Sequence, residues 1–324
     1  MNACIRSCVA VSTRRRAHIG SKIPCSTPSF STLFFESANK KAPACSSTIR
    51  ALSSSTNKKR VRSIILIRHG ESLGNVDEAS YGTTADWLIP LTCRGRRQAR
   101  AAGREINRIV SAGCGGTLDD PGKVFFYVSP YLRTRQTLRG ILMEVNRSQV
   151  VGIREEPRIS EQQFGNYQDL ERVRDAKAER SDFGRFYYRF PNGESGFDVY
   201  ERATGFIASM IRDCEQLEAE GHDLDEVNLC VVTHGLTLRL ILMRWFQYSV
   251  HEFEESRNPD NGAIVILKRH IDDDTGRAWY ELKDKAREKL HFPAFYDQSR
   301  FHIADDLALL DTEPWDEGVD VEES

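Results

Sequence analysis

The stretch Ser63-Ile64-Ile65-Leu66-Ile67-Arg68-His69-Gly70-Glu71 decides how the rest of the chain is read. It is a short continuous apolar run that stops abruptly at Arg-His-Gly, the pattern of a buried parallel strand opening into a loop. Further strands are expected at Val124–Val128, Val227–Thr233 and Ala263–Lys268. Helices are expected between them. The first spans Gly95–Val110, N-capped by Thr92 and ended by the glycine cluster Gly113–Gly116. The second is Leu132–Val145, followed by an irregular stretch. The third is a long amphipathic helix over Phe197–Ala219, with Val199, Phe206, Ile207, Met210 and Leu217 near one face. The fourth is a buried helix over Leu236–Phe246. Alternating strands and helices imply a single α/β domain over residues 61–284, a mostly parallel central sheet with helices on both faces. Beyond Asp284 the pattern weakens. Residues 285–324 read as a C-terminal extension whose acidic run, Asp311–Ser324, is a solvated tail.

The unusual residues gather at strand ends. Arg68-His69-Gly70 closes the first strand, Ser129–Arg133 follows the second and Thr233-His234-Gly235 closes the third. Open α/β sheets bind ligands at the carboxyl ends of their strands, so these segments are expected to converge on one crevice. Two histidines and two arginines there make a compact cationic pocket suited to a phosphoryl group. Arginine offers planar donor forks, and fixed positive charge stabilises oxygens in transfer. Gly113–Gly116 is not a phosphate loop, because it follows a helix and no Lys comes after it.

These segments resemble the histidine phosphatase superfamily, in its phosphoglycerate mutase-like branch. The resemblance rests on six ordered elements spanning about residues 61–270. They are Ile67–Ser72 with Asn75; Pro90-Leu91-Thr92 with Gly95 and Gln98-Ala99; Ser129–Thr137; Ile159–Gly165; Gly193-Glu194-Ser195; and Thr233-His234-Gly235. The likeness is greatest to plant and fungal phosphoglycerate mutase-like phosphatases. It implies that His69 attacks phosphorus and forms a phosphohistidine, splitting one transfer into two displacements. Arg68, Asn75, Arg133 and His234 would then bind the phosphoryl oxygens. Glu161 would protonate the leaving oxygen and later take a proton from water, which needs its pKa held up by burial. His69 must hold its proton on the other ring nitrogen, against a nearby backbone carbonyl.

Blander readings stand beside these. His69 alone could be a loop residue facing solvent, and His234 a satisfied core histidine. Glu161 could be a surface carboxylate, with Glu155 and Glu156 close by as rival acids. His69, His234 and Glu161 would suit zinc by type, but Arg68 and Arg133 would repel a divalent ion, so neither metal nor cofactor is expected. The family's mutases carry Glu-Arg-His-Tyr-Gly where this chain has Glu161-Gln162-Gln163-Phe164-Gly165. The missing Arg and the short segment between Gly165 and Gly193 favour water as final acceptor, hence a phosphatase acting on a small phosphomonoester or phosphoprotein. A phosphoglycerate mutase and a non-catalytic phospho-ligand-binding protein are the alternatives. Substrate-side contacts would fall to Asp169–Phe190, whose aromatics read equally well as a packed helical face.

Charge and composition bound the rest. Residues 1–60 contain eleven Lys or Arg and one acid, Glu36, leaving 34 bases against 46 acids downstream, a net charge of −12. A body that acidic argues against general nucleic-acid binding. No apolar run is long enough to cross a membrane. Residues 1–57 are basic, hydroxyl-rich and nearly acid-free, the composition of a disordered organellar transit peptide. A plastid address is expected, with mitochondrion or cytoplasm as alternatives. Cys93, Cys114, Cys214 and Cys230 form no CxxC pair and read as free thiols, with Cys230 in a core strand.

Overall fold

The computed structural model describes residues 60–112, 122–165, 169–272 and 278–293. The leader, the Gly113–Gly116 cluster and the acidic run Asp311–Ser324 lie outside the described residues. Within them the chain forms β1 (Ser63–Arg68), the short helices α1 (Leu73–Val76) and α2 (Ser80–Thr83), α3 (Cys93–Ser111), β2 (Lys123–Val128), α4 (Leu132–Leu142) and β3 (Val150–Glu155). There follow α5 (Leu170–Phe183), α6 (Gly196–Ala219), β4 (Val227–Thr233), α7 (Gly235–Phe246), α8 (Val250–Glu255), β5 (Ile264–Ile271), β6 (Ala278–Leu282) and α9 (Asp284–Leu290). Thr92 caps α3 as expected, its hydroxyl accepting from Gly95 N at 3.0 Å.

The strands form one sheet in the order β3-β2-β4-β1-β5-β6. The pairs β3–β2, β2–β4 and β4–β1 are parallel, whereas β5 runs antiparallel to β1 and β6 antiparallel to β5. The sheet is mostly parallel, with an antiparallel hairpin completing one edge. The apolar run of β1 faces two cores at once. Ile64 and Leu66 join the side chains of α6 and α7, including Phe206, Met210 and Leu240. Ile65 and Ile67 point the other way, among Ala102 and Ile106 of α3 and Leu138 and Ile141 of α4. All four are at most 3% exposed, so each stabilises the fold by about 1.5–3 kcal/mol. Cys230 is fully buried in β4, and Cys93, Cys214 and Cys230 are free thiols.

Two expectations need correcting. The stretch between Val145 and Phe197 is not irregular: it holds the edge strand β3 and the 14-residue helix α5. The fold also does not end at Asp284. Leu290 at 1% and Phe292 at 3% exposure join the core beside α7, because α9 folds its apolar end back onto that layer.

Candidate active site

Parallel pairing sets the site. In the ladder Arg68 lies opposite Thr233, and Val128 opposite Val232, so β1, β4 and β2 end at one level. Beyond those ends, His69 N donates to Thr233 O at 3.0 Å and Ser129 N to Val232 O at 3.0 Å. The loop after β1 packs directly on the start of α3. A Cβ on Gly70 would stand 2.4 Å from Gly95 O, and one on Gly95 2.0 Å from Glu71 O, so no side chain fits at either position. Thr137 of α4 accepts from Gly70 N at 3.1 Å, which ties the same loop to a second helix.

His69 is 3% exposed, and its Nδ1 lies 2.7 Å from Gly70 O. A carbonyl only accepts, so Nδ1 carries the proton and Nε2 keeps its lone pair. Burial, helped by the Arg133 and Arg68 cations, holds the His69 pKa well below 6.5. The imidazole is therefore neutral and nucleophilic at neutral pH. Arg133, 3% exposed, donates through Nη1 to Asp86 Oδ1 at 2.7 Å and Asp86 O at 2.8 Å, and lies 4.8 Å over the Tyr131 ring. Burial opposes its charge, but Asp86 overrides that and raises its pKa. Arg68 donates through Nη1 to Pro259 O at 2.6 Å. Asn75 uses its amide oxygen to accept from Ser72 N, Ser72 Oγ and Asn261 Nδ2, which turns its amide nitrogen into the donor available to a ligand.

Glu161 lines the same cavity. Burial raises its pKa above the ordinary 4.5, against the pull of Arg133 and the Gln162 amide. Its loop is strongly held. Arg202 of α6 donates to the carbonyls of Arg158, Ser160 and Glu161 at 2.7, 2.8 and 3.0 Å, and to the Glu194 carboxylate. Thr233 and Thr237 hydroxyls donate to Ile159 O and Ser160 O. Gly165 has φ +79 and its Cβ position would meet Pro191 O at 2.1 Å, so the turn after Glu161 requires glycine. The rival acids are elsewhere. Glu156 is locked onto Arg158 by three bonds, and Glu155 is exposed beside Arg135.

Arg68, His69, Asn75, Arg133 and Glu161 together line a cavity of about 230 Å³. His234 does not line it but sits one layer deeper, fully buried. Its ring centroid is 5.2 Å from that of His69, and its Nε2 is 2.8 Å from Ser129 Oγ. His234 Nδ1 has no hydrogen-bond partner among the described residues and stands 4.0 Å from Glu161 Oε2. The remaining wall was not foreseen residue by residue: Gly74, Glu78, Tyr81, Asp86, Phe164, Lys177 and Arg180. Lys177 and Arg180 come from α5, within the segment expected to supply substrate contacts. Lys177 pairs with Glu78, and Arg180 lies 5.3 Å over the Phe190 ring. Phe186 and Phe190 of that segment are instead core residues, at 3% and 0% exposure.

Comparisons with known proteins place the chain in a family. A profile of the histidine phosphatase superfamily (branch 1) matches residues 64–281, and the chain belongs to that family. It is 49% identical over 214 residues to the phosphoglycerate mutase-like protein AT74H of Arabidopsis thaliana, covering 65% of this chain and 76% of that protein. It is 29% identical over 289 residues to the broad-range acid phosphatase DET1 of Saccharomyces cerevisiae, covering 64% of this chain and 86% of that one. Among solved structures, mycobacterial hydrolase 1 shares the fold, with a TM-score of 0.52 at 20% identity over 69% of this chain and 97% of that one.

Proposed function

We propose that the protein hydrolyses phosphomonoesters through a phosphohistidine on His69, with Glu161 as proton donor. The observation that carries this reading is the buried, tautomer-fixed imidazole. Its Nδ1–H is spent on Gly70 O, and its Nε2 is left as a nucleophile beside the guanidinium groups of Arg133 and Arg68. Arg68, Arg133 and Asn75 would hold the phosphoryl oxygens while charge develops on them, with His234 packed behind His69. Glu161, whose pKa burial raises, would give its proton to the leaving oxygen. As carboxylate it then deprotonates the water that attacks the phosphohistidine.

Water as acceptor is supported at the position where the mutase pattern has arginine. Gln162 is fully buried there and donates to Glu194 O at 2.8 Å, so it supports the loop and does not line the cavity. Arg180, and Lys177 beside its partner Glu78, line the cavity from α5, which would suit small monoesters carrying a second anionic group. The relatives of this chain include a broad-range acid phosphatase, which supports hydrolysis over isomerisation.

The test is a brief exposure of purified protein to labelled substrate, followed by quenching in alkali. An acid-labile, alkali-stable adduct should form, and His69→Ala should lose both adduct and turnover. Turnover should be unaffected by chelators. Retained activity in His69→Ala, or fast interconversion of 2- and 3-phosphoglycerate with a bisphosphoglycerate primer, would overturn the reading. We also propose that residues 1–57 carry a plastid address, supported by their basic, acid-poor composition. A fluorescent fusion that stays in the cytosol would remove that address.

A further inference from the structure

Arg239 lies in the middle of α7 with 1% of its side chain exposed, and it is among the largest wholly buried side chains. Among the described residues no carboxylate pairs with it. Its guanidinium donates only to neutral oxygens: Nε to Asn258 Oδ1 at 2.8 Å, and Nη1 to Ser256 Oγ at 2.9 Å, Ser256 O at 3.0 Å and Phe253 O at 3.4 Å. The Phe253 ring lies 4.7 Å beneath it. Burial pulls its pKa down to about 9, which leaves it a cation at neutral pH. A buried cation without a counter-ion is a costly way to fill space, and apolar residues of similar volume often stabilise a core as well or better.

What the cation holds is the segment after α8. Asn258 is pressed against the start of α7, where a Cβ on Gly235 would come within 2.8 Å of its side chain. Four of the next five residues grip the nucleophile's own loop. Pro259 O accepts from Arg68 Nη1 at 2.6 Å. Asn261 Nδ2 donates to His69 O at 3.3 Å and Asn75 Oδ1 at 3.0 Å. Gly262 N donates to Arg68 O at 3.1 Å and His69 O at 3.0 Å, and Ala263 O accepts from Arg68 N at 3.2 Å. Three of the residues that bind or attack phosphorus are thus fastened to one short segment, whose far end is fixed by Arg239.

We propose that Arg239 is a positioning residue: through Asn258 it sets the 258–262 segment, which holds Arg68, His69 and Asn75 in register for phosphoryl transfer. Arg239 does not line the cavity and touches no reacting atom. Its effect is geometric, and it falls on the transition state, where the hold on the oxygens tightens. This inference rests on the phosphatase reading above.

The test uses the full chain, with Asn258→Ala, Arg239→Met, Arg239→Lys and the double variant Arg239→Met/Asn258→Ala. Two readouts are taken: turnover of an aryl phosphate, and affinity for orthovanadate by calorimetry. Asn258→Ala should lower kcat roughly ten- to a hundredfold with little change in KM, the scale expected for misplacing catalytic groups by a fraction of an ångström to one ångström. Vanadate affinity should fall in step. The double variant should be no worse than the poorer single one, because both act through one link. Arg239→Lys keeps the charge and loses the fork, so it should not restore wild-type kcat. If Arg239→Met fails to fold, Asn258→Ala and Arg239→Lys carry the test. A folded Asn258→Ala protein with wild-type kcat and vanadate affinity, or fully additive losses in the double variant, would overturn the inference. A wild-type protein that neither turns over nor binds vanadate would instead overturn the phosphatase reading.

Discussion

Asp86 grips Arg133 twice, with its carboxylate at 2.7 Å and its own backbone carbonyl at 2.8 Å. Both bonds fall on the same guanidinium nitrogen, Nη1, which leaves the other donors of the fork for a ligand. The carboxylate also offsets part of the positive charge on which phosphate would sit. Asp86→Asn keeps the acceptor and removes the charge, so inhibition by inorganic phosphate should tighten about three- to tenfold, or roughly 1 kcal/mol. The weakened buried pair should cost about 1 kcal/mol of stability. Phosphate inhibition that is unchanged or weaker, measured by steady-state kinetics, would contradict this role.

Glu161→Gln keeps the shape of the acid and loses its proton. Turnover of alkyl phosphates, whose alkoxide leaves poorly, should fall about 10²- to 10⁴-fold. Aryl phosphates should be affected far less in the first displacement. An equal loss on both substrate types would mean that another group supplies the proton. The positions of Glu155 and Glu156 make them poor candidates for it.

The pH profile follows from two opposite shifts. His69 is held neutral well below pH 6.5, so kcat/KM should stay high as pH falls until the imidazole finally protonates. Glu161 has a raised pKa, so kcat/KM should decline as pH rises through that value and the acid ionises. Activity should therefore peak on the acid side of neutrality, and Glu161→Gln should flatten the alkaline limb on aryl phosphates. A profile rising from pH 5 to 8 would contradict both assignments.

The same buried imidazoles link stability to pH. His69 and His234 both have pKa values well below 6.5 in the fold, so below pH 6.5 the unfolded chain binds more protons than the folded one. Stability should thus be lost as pH falls from 6.5 toward the folded pKa values, each histidine contributing up to about 1.4 kcal/mol per pH unit. Glu161 acts in the opposite sense above pH 4.5, where the folded state holds its proton longer. Melting temperatures of wild type and His69→Ala across pH 4.5–7 check this: the variant should show the shallower slope.

Lys177→Ala and Arg180→Ala should each reduce kcat/KM about tenfold for monoesters with a second anionic group, a change of about 1.4 kcal/mol. For p-nitrophenyl phosphate, which has no second anion, the change should be small. A uniform loss on both substrates would assign these residues to folding or to the phosphoryl site itself.

Much of the site was readable because its chemistry sits on short contiguous motifs at the ends of the most apolar strands. Arg68 ends β1 and His69 follows it, Arg133 follows β2, and His234 follows β4. Sheet order was not needed to expect that they would meet. The elements that went unread lack such a signature. The edge strand β3 is half-buried to exposed along its length, and α5 buries only Val173 and Ala176 among its described side chains, so neither presents an apolar stripe. Asp86 binds a partner 47 residues away from a short 3₁₀ turn with no motif around it. Lys177 and Arg180 read as ordinary polar surface until α5 is placed. The depth of His234 behind His69 likewise depends on packing, which one sequence does not display.

The order β2-β4-β1 places the three strand ends that bear the reactive groups side by side in the middle of the sheet, walled by helices on both faces. Lys177 and Arg180 reach the cavity from α5, which belongs to none of those layers. Under the proposed function, the groups that would transfer phosphoryl and the groups that would meet the rest of the substrate therefore lie on separate pieces of chain. On that reading, remodelling α5 would be expected to change substrate choice while His69, Arg68 and Arg133 keep their positions.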